Sequence, residues 1–189
     1  MNTELIIRPV QVSDATELLE IYSPYVERTA VTFEYTVPTL LEFEKRIERT
    51  ASQYPYFVAQ KGHAIVGYAY AGSFNSRKAY DWAVETSIYV KTEERKSGIG
   101  RQLYVSLEKC LAELHYLNMN ACIAFGESDD PYLTSDSIAF HKRLGFQQVG
   151  RFHSCGYKFG KWYDMIWMEK HIGEHTASPL PVQPFCSML

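Results

Sequence analysis

The 189-residue sequence predicts a mixed α/β domain, in which a mixed sheet is covered by helices. Three observations carry this. The inferred element order is β-α-α-β-β-β-α-β-α-β-β, and three strands in a row do not fit a strictly alternating doubly wound fold. Ile99, Leu103, Leu107, Leu111 and Leu114 recur at spacings of three and four, which marks one long amphipathic helix. The hydrophobic fraction of 46% and charged fraction of 22% suit one domain with a proper core.

Leu5-Ile6-Ile7-Arg8 reads as a first strand, stopped by Pro9. Ser13 or Asp14 caps a helix with an apolar stripe of Ala15, Leu18, Leu19 and Tyr22, and Pro24 is expected to kink or break it. Thr29–Tyr35 is aromatic without helical spacing and is expected as an extended loop. Thr39-Leu40-Leu41-Glu42 has the capping-box pattern and opens a second helix on Phe43, Ile47 and Ala51. Tyr56–Gln60 and Ala64–Ala71 form strands joined at Lys61-Gly62-His63. The polar stretch Gly72–Asp81 is a loop, and Ala83–Val90 is the next strand. The long helix covers Gly98–Leu114, followed by a strand at Asn120–Phe125 and an acidic loop at Gly126–Leu133. Ser135–Leu144 is a short helix ended by Gly145. Gln147–Phe152 and Tyr163–Lys170 are late strands linked through Cys155–Gly160. The domain is assigned to residues 1–172. Residues 173–189, with Pro179, Pro181 and Pro184, are expected as an extended tail.

A net charge of −3 gives no global field for nucleic acid or an anionic membrane, so anion binding must be local. No apolar run reaches the ~18–20 residues of a spanning helix, and Met1–Glu4 lacks the start of a signal peptide. Cys110, Cys122, Cys155 and Cys186 are widely spaced without C-x-x-C, so neither a zinc nor a disulfide framework is expected. The expectation is a cytoplasmic protein with free thiols, holding no metal.

Chemistry concentrates between Trp82 and Gly100. A β-branched strand feeds Arg95-Lys96-Ser97-Gly98-Ile99-Gly100, followed by Arg101 and the long helix. A helix N-terminus offers N–H groups without intrahelical partners and favours negative charge, so this turn is a diphosphate cradle. It is neither a P-loop nor a Rossmann turn. Glu85 lies within the apolar strand just before it.

The R-x-x-G-x-G turn after a strand resembles the pyrophosphate motif of the GNAT superfamily of acetyl-CoA-dependent N-acetyltransferases. Ser137–Phe146 is similar to that superfamily's later segment, about forty residues on and in the same order. Tyr80–Val90, Phe33, Tyr68–Ala71 and Gly156–Asp164 resemble its phosphinothricin or methionine sulfoximine acetyltransferase branch, and the likeness runs from about Leu5 to Ile172. The resemblance implies a mostly antiparallel central sheet with splayed central strands, flanked by helices. It also implies acetyl transfer from acetyl-CoA to the α-amino group of a small amino-acid-like substrate, in a homodimer without nucleic-acid or membrane partners.

The resemblance assigns roles. Glu85 is the expected general base, since an ammonium has no lone pair to attack a thioester, and partial burial would raise its pKa. Its plainer alternative is a strand glutamate facing solvent or paired with Arg95. His141 stands where many members carry a proton-donating Tyr, and serves as acid or as helper to the base. The coenzyme is expected along Ile88, Tyr89 and Val90, on Arg95 to Arg101 (Lys96, Ser97, Gly98, Ile99 and Gly100 included), and at Thr134 and Ser137. Arg77 is the candidate for the substrate carboxylate, with Tyr80 and Asn75 beside it and Phe33 and Ser87 lining the pocket. Two departures are a Thr at 134 where the superfamily usually has Asn, and Asn75 where some members are basic. Cys122 and Cys155 are read as packing thiols, so attack is direct. Alternatives are another primary amine (polyamine, aminoglycoside, protein N-terminus) or a non-catalytic acyl-CoA-binding module.

Overall fold

The structure, a computed structural model, describes residues 4–127 and 129–185; Met1–Thr3, Ser128 and residues 186–189, Cys186 among them, lie outside the described residues. The strands are β1 (Leu5–Pro9), β2 (Tyr56–Lys61), β3 (Ala64–Ser73), β4 (Ala83–Val90), β5 (Asn118–Phe125), β6 (Gln147–Lys158) and β7 (Lys161–His171). The α-helices are α1 (Ala15–Arg28), α2 (Leu40–Ala51), α3 (Ile99–Glu113) and α4 (Asp136–Arg143). One seven-stranded sheet has the order β1-β2-β3-β4-β5-β7-β6. Every neighbouring pair is antiparallel except β4–β5.

Strand alternation sorts the side chains into two layers. On one face Tyr56, Val58 and Tyr68 pack under Leu18, Tyr22, Phe43 and Ile47 of α1 and α2. On the other, Ala69, Val84 and Met119 pack under Leu103, Leu107 and Leu111 of α3. Thr39 Oγ1 accepts the Glu42 N–H at 3.2 Å and starts α2. Gly145, at φ 92°, turns the chain out of α4. Among the described residues no helix is long and apolar enough to cross a membrane.

Three expectations need correcting. Pro24 does not break α1, which runs unbroken to Arg28. Ile21, Tyr22, Tyr25 and Val26 are buried on both sides of the proline, so packing carries the helix past it. The Cys155–Gly160 link is mostly strand: β6 runs to Lys158, β7 starts at Lys161, and the turn is Phe159-Gly160. A register shift between Phe152 and Gly156 absorbs the irregular residues that hid this strand. In Gly72–Asp81, β3 runs on to Ser73 and Lys78–Tyr80 forms a 3₁₀ turn. Of the tail, the described residues 173–185 carry no α-helix or strand, and they dock on the domain. Phe185 is buried against Phe57, and the Trp82 indole N–H donates to Leu180 O at 2.8 Å.

β4 and β5 are each eight residues long, yet they pair only at Ala83↔Asn118, Val84↔Met119 and Glu85↔Asn120. Beyond Glu85 they diverge. The expected splay of the central strands is therefore present, and it opens a gap in the middle of the sheet.

Candidate active site

The gap forms a cleft lined by Val31, Ser87, Ile88, Cys122, Ser137 and His141, among others. Along β4, Val84, Ile88 and Val90 face the α3 layer, so Glu85, Ser87 and Tyr89 face the α1–α2 layer. Glu85 stands at the last paired rung, where the strands begin to part. It is half-buried, and burial pushes its carboxyl pKa above the ordinary glutamate value. Tyr70, on the neighbouring strand, is the phenol that faces Ser87 and feels the Glu85 charge. Cys122 is half-buried, and burial, with Glu85 nearby, pushes its thiol up to about 12. Little thiolate exists there at neutral pH. Cys155, expected to be packed, is exposed.

On the α3 side, the mouth of the split is held by a buried chain of polar groups. His141, only 3% exposed, places Nδ1 2.8 Å from Ser137 O and Nε2 2.9 Å from Tyr104 Oη. Tyr104 Oη lies 3.2 Å from Thr86 Oγ1, which donates to Asn120 O at 3.0 Å. Asn120 Nδ2 donates across the split to Val84 O at 3.1 Å. Burial lowers the His141 pKa, with the Ser137 bond opposing, so the neutral ring is favoured. Its Nδ1–H then donates to Ser137 O, and Nε2 accepts the Tyr104 hydroxyl. Both ring nitrogens are thus engaged inside the fold.

At the far end of β4 the chain turns into α3. Gly98 sits at φ 89°, with no atom within 4 Å of the place a Cβ would occupy. The turn is therefore open above the helix N-terminus, which fits a pyrophosphate. Gly100 is different: a Cβ there would lie 3.1 Å from Phe140 and 3.3 Å from Ile88, so this glycine serves close packing. Lys96, Ser97 and Arg101 are exposed around the turn, and Ile99 is buried beneath it. Arg95 stacks over the Tyr25 ring at 5.1 Å, not on Glu85. Tyr25 Oη donates to Val90 O at 2.6 Å and accepts the Val90 N–H at 3.3 Å. The Lys91 N–H bonds Val66 O towards β3, so Val90 points the other way, into the gap. Ile88, two residues earlier, presents its backbone to the same gap.

The expected substrate residues divide. Ser87 lines the cleft, and Phe33 lies over Gly156 beside Tyr163. Arg77 and Asn75 stay exposed on the loop after β3, where Asn75 Oδ1 accepts the Arg77 N–H at 3.3 Å. Tyr80 lines a separate cavity of about 370 Å³ with Phe74, Trp82, Asn118, Asn120 and Glu169. That cavity reaches Asn120, the cross-strand partner of Glu85. Thr134, exposed, donates to Asp136 Oδ2 at 3.2 Å at the start of α4. Sequence reasoning missed Tyr25, Thr86 and Asn120 and gave Tyr104 no role. The helical spacing of Tyr104 among leucines reads as core, and only the fold reveals its hydroxyl partner.

Known proteins resemble this chain in sequence and fold. The acetyltransferase (GNAT) domain family matches residues 7–167. The chain is 33% identical over 178 residues to the phosphinothricin N-acetyltransferase of Streptomyces viridochromogenes, covering 94% of this chain and 93% of that protein. It is 30% identical over 176 residues to the L-methionine sulfoximine/L-methionine sulfone acetyltransferase of Pseudomonas paraeruginosa, covering 92% and 98%. A GNAT superfamily phosphinothricin acetyltransferase from Sinorhizobium meliloti, crystallised in complex with AcCoA, superposes with a TM-score of 0.83 at 35% identity, over 97% of this chain and 95% of that one. Its split sheet, its open turn at the head of α3 and these matches agree: the chain belongs to the GNAT family of acetyl-CoA-dependent N-acetyltransferases.

Proposed function

We propose that this enzyme acetylates the α-amino group of a small amino-acid-like acceptor of the phosphinothricin or methionine sulfoximine type, with Glu85 as the general base. The observation that carries the reading is the half-buried Glu85 carboxylate, raised in pKa, at the rung where β4 and β5 part. The relatives named for phosphinothricin and methionine sulfoximine support the acceptor class.

Acetyl-CoA supplies an activated acetyl thioester. The exposed N–H groups from Gly98 to Arg101, with Lys96 beside them, hold its pyrophosphate. The Ile88 backbone N–H polarises the acyl oxygen, since Tyr25 already occupies Val90. Glu85 removes one ammonium proton, either directly or through a water; the freed lone pair forms the C–N bond at the acetyl carbon, the C–S bond breaks, and the coenzyme leaves as its thiol with the second proton from the nitrogen. The high pKa of Cys122 argues against a covalent enzyme intermediate. His141, expected as acid or as helper to the base, has both ring nitrogens bonded to Tyr104 and Ser137, and the role we give it instead is to hold those two residues at the cleft. Arg77, exposed on the loop after β3 beside Asn75, is the candidate for the acceptor carboxylate, with Tyr80 in the neighbouring cavity and Ser87 and Phe33 on the side of the gap.

The same reading makes the protein a cytoplasmic homodimer without nucleic-acid or membrane partners. Free thiols fit a reducing compartment. Phe152, Tyr157 and Trp162 are exposed on the edge hairpin and offer a self-association surface. A free-thiol release assay with acetyl-CoA tests the acceptor class against methionine sulfoximine, phosphinothricin, the common amino acids and spermidine. Release with acceptors bearing both α-amine and carboxylate is expected. Release with spermidine alone, or with no amine, would overturn the reading.

A further inference from the structure

The aromatic segment around Gly156 has no part in the chemistry above, yet it holds the most unusual side chain in the molecule. Lys158, near the tip of the β6–β7 hairpin, is 3% exposed. Its Nζ donates to Val26 O at 2.7 Å, Thr29 O at 2.8 Å and Thr32 O at 2.7 Å. All three ammonium hydrogens are used, and all three acceptors belong to the end of α1 and the loop that follows it. A buried ammonium is tolerated only where its donors are fully matched. The negative end of the α1 dipole adds to the match.

Gly156, two residues earlier and buried like Lys158, meets the same loop. A Cβ there would stand 2.1 Å from Phe33 Cε2, so the Phe33 ring rests on bare backbone. Tyr35 Oη donates to Tyr157 O, and Phe159 stacks on Tyr132 with centroids 4.2 Å apart. The gripped loop carries Val31, which lines the cleft, and Phe33, which packs against the cluster of Ala30, Ala124, Leu133 and Tyr163. The loop is therefore a roof over the β4–β5 gap, and the hairpin tip is its support.

We propose that Gly156 and Lys158 form a clamp that sets the position of the Phe33 roof over the gap, which makes Lys158 a positioning residue for acceptor binding. This rests on the reading of Phe33 as a wall of the acceptor pocket. An apolar side chain at 158 would fill the same space but would leave three carbonyls unmatched and the loop free to settle elsewhere. The clamp thus acts on the acceptor side of the cleft, away from the coenzyme turn.

The test is steady-state kinetics on the full-length protein, comparing wild type with Lys158→Met, Gly156→Ala, Phe33→Ala and the Lys158→Met/Phe33→Ala double variant. Lys158→Met is expected to raise acceptor KM about tenfold or more, with kcat within about threefold and acetyl-CoA KM within about twofold. Gly156→Ala should show the same split, because it displaces the ring and keeps all three Lys158 bonds. If Lys158 acts through Phe33, the double variant is no worse than the poorer single variant. Equal losses in kcat and both KM values for Lys158→Met would overturn the clamp. So would additive effects in the double variant while Phe33→Ala alone raises acceptor KM, and the acceptor reading would then survive. Phe33→Ala with wild-type acceptor KM overturns both. If Lys158→Met does not fold, an unchanged acceptor KM in Gly156→Ala is sufficient to reject the clamp.

Discussion

β4 has two edges, and they behave differently. Towards β3 it pairs without interruption from Gly67↔Val90 to Ser73↔Val84, and Tyr68, Tyr70 and Tyr89 cover one face of that seam. Towards β5 it pairs at three rungs and stops. From the last rung, Glu85↔Asn120, outward, the polar groups along this edge are a carboxylate, an amide and hydroxyls: Glu85, Asn120, Thr86, Ser87 and Tyr104. The closed seam satisfies its backbone with backbone and its surface with rings. The open seam leaves backbone facing a cleft and uses side chains to satisfy it: Tyr25 caps the Val90 backbone, and Asn120 bonds Val84 O at the paired end. Stability should therefore reside on one edge of the strand and chemistry on the other.

Substitutions can break that division. Tyr68→Ala, on the closed seam at 1% exposure, should cost about 3–5 kcal/mol in urea unfolding and leave kcat per folded molecule within about threefold. A large loss of kcat at unchanged stability would show that the seam is not merely structural. On the open side, Arg77→Ala should raise acceptor KM about tenfold, more than it lowers kcat, as removal of a charge-assisted carboxylate contact does. Equal loss in kcat and kcat/KM would instead assign Arg77 to the transition state. Tyr104→Phe keeps the ring packing on Phe140 and Phe146 and removes only the hydroxyl. Turnover about fivefold lower, with little change in either KM, is the expected outcome. Gly98→Ala should have the smallest effect, about 1 kcal/mol of stability from its positive φ and a severalfold rise in acetyl-CoA KM. An unchanged acetyl-CoA KM would mean that the open turn is not the pyrophosphate cradle.

Much of this was legible in the chain. Element order, the amphipathic α3 and the Thr39 cap follow from periodicity and capping chemistry, which are local. Pro24 misled because burial on both sides of it outweighs local propensity. The end of β6, from His153 to Lys158, was hidden because its outward residues are exposed and the register shift after Phe152 breaks the alternation on which a strand is recognised. In the site, Glu85 and the α3 turn stand out because a carboxylate in an apolar strand and glycines at a helix start are odd in sequence. Tyr25, Tyr104 and Lys158 do not, because each acts on partners more than thirty residues away. Gly98 and Gly100 look alike in the motif, and only their surroundings separate the glycine in open space from the packing one.

Glu85→Gln, measured as kcat against pH beside wild type, tests the account most directly. The raised pKa predicts an acid limb in wild type with its midpoint above the ordinary value of 4.5: activity is absent where Glu85 is protonated and appears as pH rises through that midpoint. The raised pKa also means that the folded state holds this proton more tightly than the unfolded chain does. The charged carboxylate therefore weakens folding at neutral pH, and Glu85→Gln should melt no lower than wild type at pH 7. Turnover at least tenfold lower in Glu85→Gln, with that limb lost and acetyl-CoA affinity unchanged, is the predicted result. Wild-type turnover with the same acid limb would contradict the role of Glu85 as the base.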